Sequence, residues 1–271
     1  MSADLGSAGA TVRAQTDASP APAVDTRATT LQVYAAGSLR ETFTAIAASF
    51  EAKTGVKVSL TFGASGLLRE RIEKGEPAAV FASADTQHPE TLFRGSGGSW
   101  QKPARLVSNK LCALTSPSVQ VTSSNLLDVM LNPAVKLGTS TPKADPSGDY
   151  AWELFRRAEA ILPGAYAALD AKALKLTGSS GTLQPPPGRG TYAWLMEEGK
   201  ADIFLTYCTN ALSARKGVPR LGVVAVPPAL EVGAVYGMTA RTADAAALQF
   251  VQYLLSPSAQ AVFAGSGFGA P

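Results

Sequence analysis

Short apolar runs alternate with amphipathic segments along the first third of the chain. Residues 31–36 form a largely apolar run, and apolar side chains then recur at helical spacing from Leu39 to Phe50. Gly55 follows this series, as a glycine often does just beyond the end of a helix. Because strands and helices alternate, the pattern predicts βαβ units and a parallel sheet. The elements predicted here are strands at 31–36, 56–62 and 78–82, a helix from Leu39 that ends at Gly55, and a helix at 66–74.

The pattern changes near residue 105, where a second set of elements begins. The segment 184–190 contains three consecutive prolines and is predicted to be a stiff loop, since proline fixes φ and donates no N–H. The predicted strands are 105–115, 135–138, 202–207, 221–226 and 232–238. The predicted helices are 149–161, 191–199, one that carries Ala247, Phe250 and Leu254 on one face, and a short one after Pro257.

Composition excludes several classes of protein. The chain has 271 residues, 46% of them hydrophobic, and a net charge of +3 that is too small to indicate nucleic-acid binding. It contains no apolar run of roughly 18 residues or more, so no membrane-spanning helix is predicted. Residues 1–30 are rich in small and polar side chains, which predicts a disordered tail, and they lack the apolar stretch of a secretion signal.

Only one histidine and two cysteines are present, so a zinc site built from these residue types is excluded. Cys112 and Cys208 could form a disulfide, but spacing alone does not decide it. Buried cysteines commonly remain free thiols, and two free thiols are the expectation here. His88 precedes Pro89 in a polar stretch and is expected in a surface loop, while Cys208 and Asn210 are expected to be packing and turn residues.

A serine stands at each of three predicted junctions between a strand, or a loop, and a helix: Ser38, Ser65 and Ser147. A helix N-terminus offers unpaired N–H groups and a partial positive charge, so several of them around one cleft would bind an anion without lysine or arginine. The alternative is that each serine only caps its helix. Ser38 followed by Glu41 matches a capping box in this way.

The residues around these serines resemble the periplasmic molybdate-binding protein family over about 31–271. The matching segments are 33–39, Phe62 to Leu68, 71–75, Ala82 to Asp85, Asp145 to Ala151, Phe204 to Tyr207, Phe250 to Pro257, and Gly267-Phe268. The resemblance implies an α/β type II periplasmic-binding-protein fold, in which two lobes hold the anion between them. The change of pattern near 105–115, and the strand–helix ending after 228, predict lobe I at 31–112 plus 228–271 and lobe II at 113–227.

By position, the resemblance implies five ligand-binding residues: Ser38, Ser65, Ser147 through its N–H, Arg189 or a backbone N–H near it, and Tyr207. Neutral donors suit a fully ionised tetrahedral dianion, whereas a carboxylate in the pocket would repel it. The sequence departs from the family at Arg189, which follows the triple proline; its side chain is expected either in the cleft on the anion or on the surface.

The resemblance further implies a monomeric periplasmic protein that captures molybdate or tungstate and delivers it to the membrane permease of an ABC importer. It implies no cofactor, no bare metal cation, no nucleic acid and no enzymatic activity. Three alternatives stay open. The same fold could bind sulfate, phosphate or a small organic acid; the chain could be the ligand-sensing domain of a regulator; or Ser65 could be a hydrolase nucleophile, although His88 is the only histidine available as its base.

Overall fold

The computed structural model describes Met1 and residues 30–271, so the tail predicted at 1–30 lies almost wholly outside the described residues. Within them the chain is a mixed α/β protein of two lobes, as predicted. The strands are β1 Leu31–Ala36, β2 Val58–Gly63, β3 Val80–Ser83, β4 Ala104–Thr115, β5 Leu137–Ser140, β6 Leu174–Thr177, β7 Ile203–Tyr207, β8 Gly222–Ala225 and β9 Gly233–Ala240. The helices are α1 Arg40–Thr54, α2 Ser65–Glu73, α3 Gln87–Gly95, α4 Leu126–Leu131, α5 Pro146–Ile161, α6 Ala165–Lys172, α7 Thr191–Glu197, α8 Cys208–Gly217, α9 Ala245–Leu254 and α10 Pro257–Gly265.

Lobe I is built on the strand order β2-β1-β3-β9, with the first half of β4 beside β9. Strands β2, β1 and β3 are parallel, whereas β9 runs antiparallel to both β3 and β4. Helices α1, α9 and α10 pack together through buried phenylalanine rings, and Phe50 meets Phe250 edge-on with 5.0 Å between ring centroids. These rings form the centre of the lobe I core.

The second half of β4 belongs to lobe II. Residues Leu111–Thr115 pair with β7, and β8 pairs with β4 as well. Strands β7, β5 and β6 are parallel to one another. Strand β4 therefore passes from one lobe into the other, while the exact lobe boundaries predicted at 112/113 and 227/228 remain a prediction.

Two helices, α3 and α8, lie where the sequence predicted a loop and a turn. His88 lies in α3 and its side chain is only 14% exposed; Nδ1 accepts a hydrogen bond from Arg69 Nε, so the surface-loop prediction was wrong. Asn210 was predicted to lie in a turn, but Cys208 and Asn210 both lie in α8, which begins directly after β7. Polar residues occupy the first turn of α8, and for that reason its sequence lacked a clear apolar stripe.

The prediction of two free thiols was also wrong, because Cys112 and Cys208 form a disulfide. Cys112 lies on β4 opposite Thr206 of β7, and Cys208 follows two residues later at the start of α8. Strand pairing brings the two Cα atoms to 4.8 Å, within the range that a disulfide spans. The bond fixes the start of α8 to the strand that joins the lobes. Among the described residues, no helix is both long and apolar enough to cross a bilayer.

Candidate anion site between the lobes

A cleft of about 1290 Å³ lies between the lobes, where the carboxyl ends of both sets of parallel strands meet. From lobe I it is lined by residues that follow β1, β2 and β3. From lobe II it is lined by residues at or after the ends of β5, β6 and β7. This is the place where open α/β sheets bind ligands. Its lining residues include Ser38, Arg40, Glu41, Phe62, Ser65, Ala84, Asp145, Thr177, Gly178, Tyr192, Tyr207, Asn210 and Ser213.

Ser38 and Ser65 reach the cleft because their strands are paired in register. Ala36 of β1 lies opposite Gly63 of β2, and each serine stands two residues beyond that pair. Ser38 lies in a single 3-10 turn ahead of α1, and Ser65 is the first residue of α2. The two hydroxyls therefore sit at the same edge of the lobe I sheet.

Neither serine hydroxyl caps its helix. The N-cap of α1 is Leu39 and that of α2 is Ala64, with no side-chain cap at either, so the predicted capping box of Ser38 and Glu41 does not form. Ser65 Oγ instead accepts the backbone N–H of Ala84 at 3.1 Å. Since the N–H occupies a lone pair, the hydroxyl proton of Ser65 remains available to an acceptor in the cleft.

Ser38 is held by a residue that sequence reasoning did not identify. Its Oγ lies 2.9 Å from the hydroxyl of Tyr236, a fully buried residue of β9, and Asn109 Nδ2 approaches the same hydroxyl at 3.4 Å. Burial raises the pKa of Tyr236 well above its usual value, so the phenol keeps its proton. When Tyr236 donates to Ser38, the proton of Ser38 is free to point into the cleft.

Tyr207 approaches from lobe II. It is the last residue of β7, as predicted, and is 2% exposed. Its hydroxyl donates to the carbonyl of Ala84 across 3.4 Å, which is long for an O–H donor. Burial raises the pKa of Tyr207 well above its usual value, so the phenol stays protonated and can donate. Its ring packs against Tyr236 with 5.4 Å between centroids.

Ser147 is the second residue of α5 and is not its N-cap. The N-cap is Asp145, whose carboxylate accepts the Ser147 N–H at 3.0 Å. The predicted donor is therefore already bound in this structure. The Ser147 hydroxyl is fully buried and has no hydrogen-bond partner among residues 30–271.

Of the five residues named from the sequence, Ser38, Ser65 and Tyr207 line the cleft, whereas Ser147 and Arg189 do not. The Arg189 side chain is 46% exposed and forms an ion pair with Glu197 of α7, outside the residues that line the cleft. Its backbone N–H donates to the carbonyl of Pro186 at 3.1 Å within the proline loop. Of the two positions that the sequence left open for the side chain, the structure has the surface one.

Asp145 is a cleft residue that the sequence did not single out. Burial raises the pKa of its carboxyl to about 6, opposed by hydrogen bonds from the Ser147 N–H and the Ser140 hydroxyl. Beside it, Tyr192 and the buried hydroxyls of Ser140, Thr177 and Thr206 form a polar wall in lobe II. The motif around Asp145 was visible in the sequence, but which of its residues caps α5 was not.

Contacts between the lobes close one side of the cleft. The N–H of Gly66 donates to the carbonyl of Ala144 at 2.9 Å, and a Cβ at Gly66 would lie 2.6 Å from the carbonyl oxygen of Lys143. Only glycine allows this approach. At the cleft mouth the Ser213 hydroxyl donates to the carboxylate of Glu41. Arg40 lies beside it with its guanidinium 4.6 Å from the centroid of the Phe62 ring.

Two curated relatives align over most of the chain. An uncharacterised protein, PM1146 of Pasteurella multocida (strain Pm70), is 37% identical over 226 residues, 83% of this chain and 92% of its own length. The molybdate-binding protein ModA of Escherichia coli (strain K12) is 28% identical over 250 residues, 88% of each chain.

Solved structures show the same fold at lower identity. The periplasmic molybdate-binding protein of Azotobacter vinelandii matches with a TM-score of 0.70 and 21% identity, over 89% of this chain and 99% of the other. Peb3 of Campylobacter jejuni with bound L-phospholactate matches with a TM-score of 0.68 and 20% identity, over 89% and 100%. The family described as bacterial extracellular solute-binding protein matches residues 31–269. The chain therefore belongs to this family of bacterial extracellular solute-binding proteins.

Proposed function

We propose that the chain captures a tetrahedral oxyanion, molybdate or tungstate, in the cleft between its lobes and delivers it to the membrane permease of an ABC importer. The proposal places the protein in the periplasm as a monomer. Membership of a solute-binding family and the similarity to molybdate-binding proteins support it.

One observation carries the proposal. Three hydroxyls from two lobes, those of Ser38, Ser65 and Tyr207, line the same cleft. The Ser65 proton is left available, the Ser38 proton is available when Tyr236 is the donor, and Tyr207 donates only across a long distance. A fully ionised oxyanion has four acceptor oxygens and no proton to give, so hydroxyl donors match it. Hydrogen bonds to a charged group are the stronger kind, and a partly dry cleft strengthens them further.

A different anion in the same cleft is the second candidate. The cleft is larger than a four-oxygen anion needs, and the carboxylate of Asp145 stands in its wall. Both features favour a ligand with an organic part, and the likeness in fold to the L-phospholactate complex of Peb3 is in keeping with that class.

The hydrolase alternative receives no such support. Catalysis by Ser65 would need a base at its hydroxyl. The only histidine in the chain, His88, has its Nδ1 bound to Arg69 of α2, and its backbone N–H is bound to Asp85. Ser65 itself is engaged with the Ala84 N–H. The proposed role is therefore binding without chemistry.

Equilibrium dialysis against molybdate, followed by elemental analysis for molybdenum, tests the proposal. We expect about one molybdenum per chain, and a fall in affinity of more than tenfold when Ser38→Ala and Ser65→Ala are combined, because two bonds to a charged group are lost. Ser124→Ala, at an exposed loop position, is the matched control. No retained molybdenum, or equal retention by the double variant, would contradict the proposal.

A further inference from the structure

An acidic side chain stands where a bare dianion would be repelled. Asp145 lines the cleft together with Ser65 and Tyr207, and its Oδ1 accepts the Ser147 N–H at 3.0 Å. The carboxylate thus takes the very donor that the N-terminus of α5 would offer to a ligand. An incoming oxyanion meets a negative charge at this end of the cleft.

The surrounding backbone holds the carboxylate in place. Gly178, which follows β6, has φ of 85° and packs on Asp145: a Cβ there would lie 2.6 Å from the Asp145 Cβ and 3.2 Å from Oδ2. The Asp145 N–H donates to the carbonyl of Thr141. A glycine that permits this conformation and this approach confines the side chain between α5 and the turn after β6.

The charges around Asp145 do not neutralise it. Asp149 of α5 and Asp85 of lobe I are further acids near it, and Tyr192, Tyr207 and Tyr236 are the other titratable groups nearby. Among residues 30–271 no lysine or arginine forms an ion pair with it. A partly buried carboxylate without a cation is stabilised by a proton or by a hydrogen-bond donor from elsewhere.

We infer that Asp145 is a specificity-determining residue, which disfavours oxyanions that carry no proton and favours an oxyanion that brings an O–H donor to its carboxylate. The donor is either a hydroxyl of the anion itself, as in hydrogen phosphate, or a hydroxyl on an attached organic group, for which a cleft of about 1290 Å³ has room. This inference rests on the proposed binding of an oxyanion between the lobes. It concerns the ratio of affinities, and not whether molybdate binds at all.

The variant Asp145→Asn tests it, since asparagine keeps the shape and an acceptor for the Ser147 N–H while removing the charge. Parent and variant are titrated calorimetrically at pH 7.5 with molybdate, phosphate and glycerol 3-phosphate. We expect the ratio of molybdate to phosphate affinity to rise at least tenfold in the variant. A similar rise against glycerol 3-phosphate alone, with phosphate unchanged, would assign the donor to an organic group and would support the same inference.

Asp149→Asn is the matched control, because it also replaces a carboxylate of α5 by an amide. The Asp149 Oδ1 accepts the Lys143 N–H, and Asp149 does not line the cleft. If the anions bind but Asp145→Asn leaves the ratios of their affinities unchanged, or changes them no more than Asp149→Asn does, the inferred role of Asp145 is overturned and the proposed function stands. Failure of both parent and variant to bind any of these anions would overturn the proposed function and this inference with it.

Discussion

The hydroxyl of Tyr207 in lobe II donates to the carbonyl oxygen of Ala84 in lobe I, with 3.4 Å between the two atoms. The N–H of the same Ala84 donates to Ser65 Oγ. One peptide segment after β3 therefore connects two of the predicted ligand residues, one from each lobe. A ligand that draws the Tyr207 hydroxyl away from this long contact would exchange a weak interaction for a charge-assisted one.

Replacing Tyr207 by Phe keeps the ring and removes only this donor. A hydrogen bond to a charged group contributes about 1.5–3 kcal/mol, so molybdate affinity should fall about tenfold or more, while the Tm without ligand changes little. Calorimetric titration and thermal unfolding measure the two quantities.

Tyr150→Phe is the control for this change, since its hydroxyl approaches the same Ala84 carbonyl at 3.5 Å but does not line the cleft. If both variants bind molybdate like the parent, Tyr207 is not a ligand. If Tyr207→Phe loses mainly stability, its hydroxyl serves packing.

The two buried serines Ser65 and Ser147 should differ in their response to alanine. Ser147→Ala removes a hydroxyl with no partner among the described residues and keeps the backbone N–H, so the free energy of unfolding should stay equal or rise. Ser65→Ala leaves the buried Ala84 N–H unpaired and should lower it by about 1–3 kcal/mol. Denaturant unfolding without ligand compares them, and a larger loss for Ser147→Ala would be inconsistent with these contacts.

The disulfide should contribute substantially to stability. Cys112 and Cys208 are 96 residues apart, and a bond that closes so long a loop restricts the unfolded chain. The double variant Cys112→Ala, Cys208→Ala should lose about 2–5 kcal/mol of unfolding free energy. Guanidinium unfolding of the variant and of the parent, with and without reductant, measures this. Equal midpoints in all samples would show that the bond does not form or does not matter.

Asp145 should make stability depend on pH. Its pKa is raised to about 6, above the ordinary value near 3.9 of an unfolded chain, so the folded state holds more proton between these values. Its contribution to the free energy of unfolding is therefore fully present below about pH 4 and is lost as pH rises through about 6. Relative to Asp145→Asn, the parent should lose stability over that interval.

Unfolding curves of parent and Asp145→Asn at pH 4, 5, 6 and 7 provide the comparison. Asp244→Asn makes the same change at the N-cap of α9, whose carboxylate accepts the Ala247 N–H outside the cleft. A flat difference between parent and Asp145→Asn, or one equal to that of Asp244→Asn, would argue against burial in the cleft as the cause.

The sequence predicted the fold well wherever apolar periodicity was strong. Strand β1 was predicted with its exact bounds, and β4, β7, α2 and α7 within two residues, because each carries a run or stripe that only one element period explains. Helices α3, α4, α6 and α8 and strand β6 were not predicted, and for α3 and α8 the reasons are local. Pro89 is tolerated in the first turn of α3, and α8 begins with polar residues immediately after a strand.

The site was predictable only in part. The strand ends that carry Ser38, Ser65 and Tyr207 follow from alternation of strands and helices, and all three line one cleft. The start of α5 cannot be located from sequence to within one or two residues. The sequence therefore did not show whether Asp145 or Ser147 is the N-cap. The hydrogen bond between Ser38 and Tyr236 joins residues 198 apart in sequence, so no local sequence pattern predicts it.

The most direct test of the account is a parallel calorimetric titration of the purified chain with molybdate, tungstate, sulfate and phosphate. Donors fixed at strand and helix ends fit the two larger ions alike but cannot all close on the shorter bonds of sulfate, and each bond left unmade costs about 1–3 kcal/mol. We predict that tungstate binds about as tightly as molybdate and that sulfate binds more than tenfold more weakly. Sulfate binding within about tenfold of molybdate, a difference of roughly 1.4 kcal/mol or less, or no binding of either larger ion, would contradict the account.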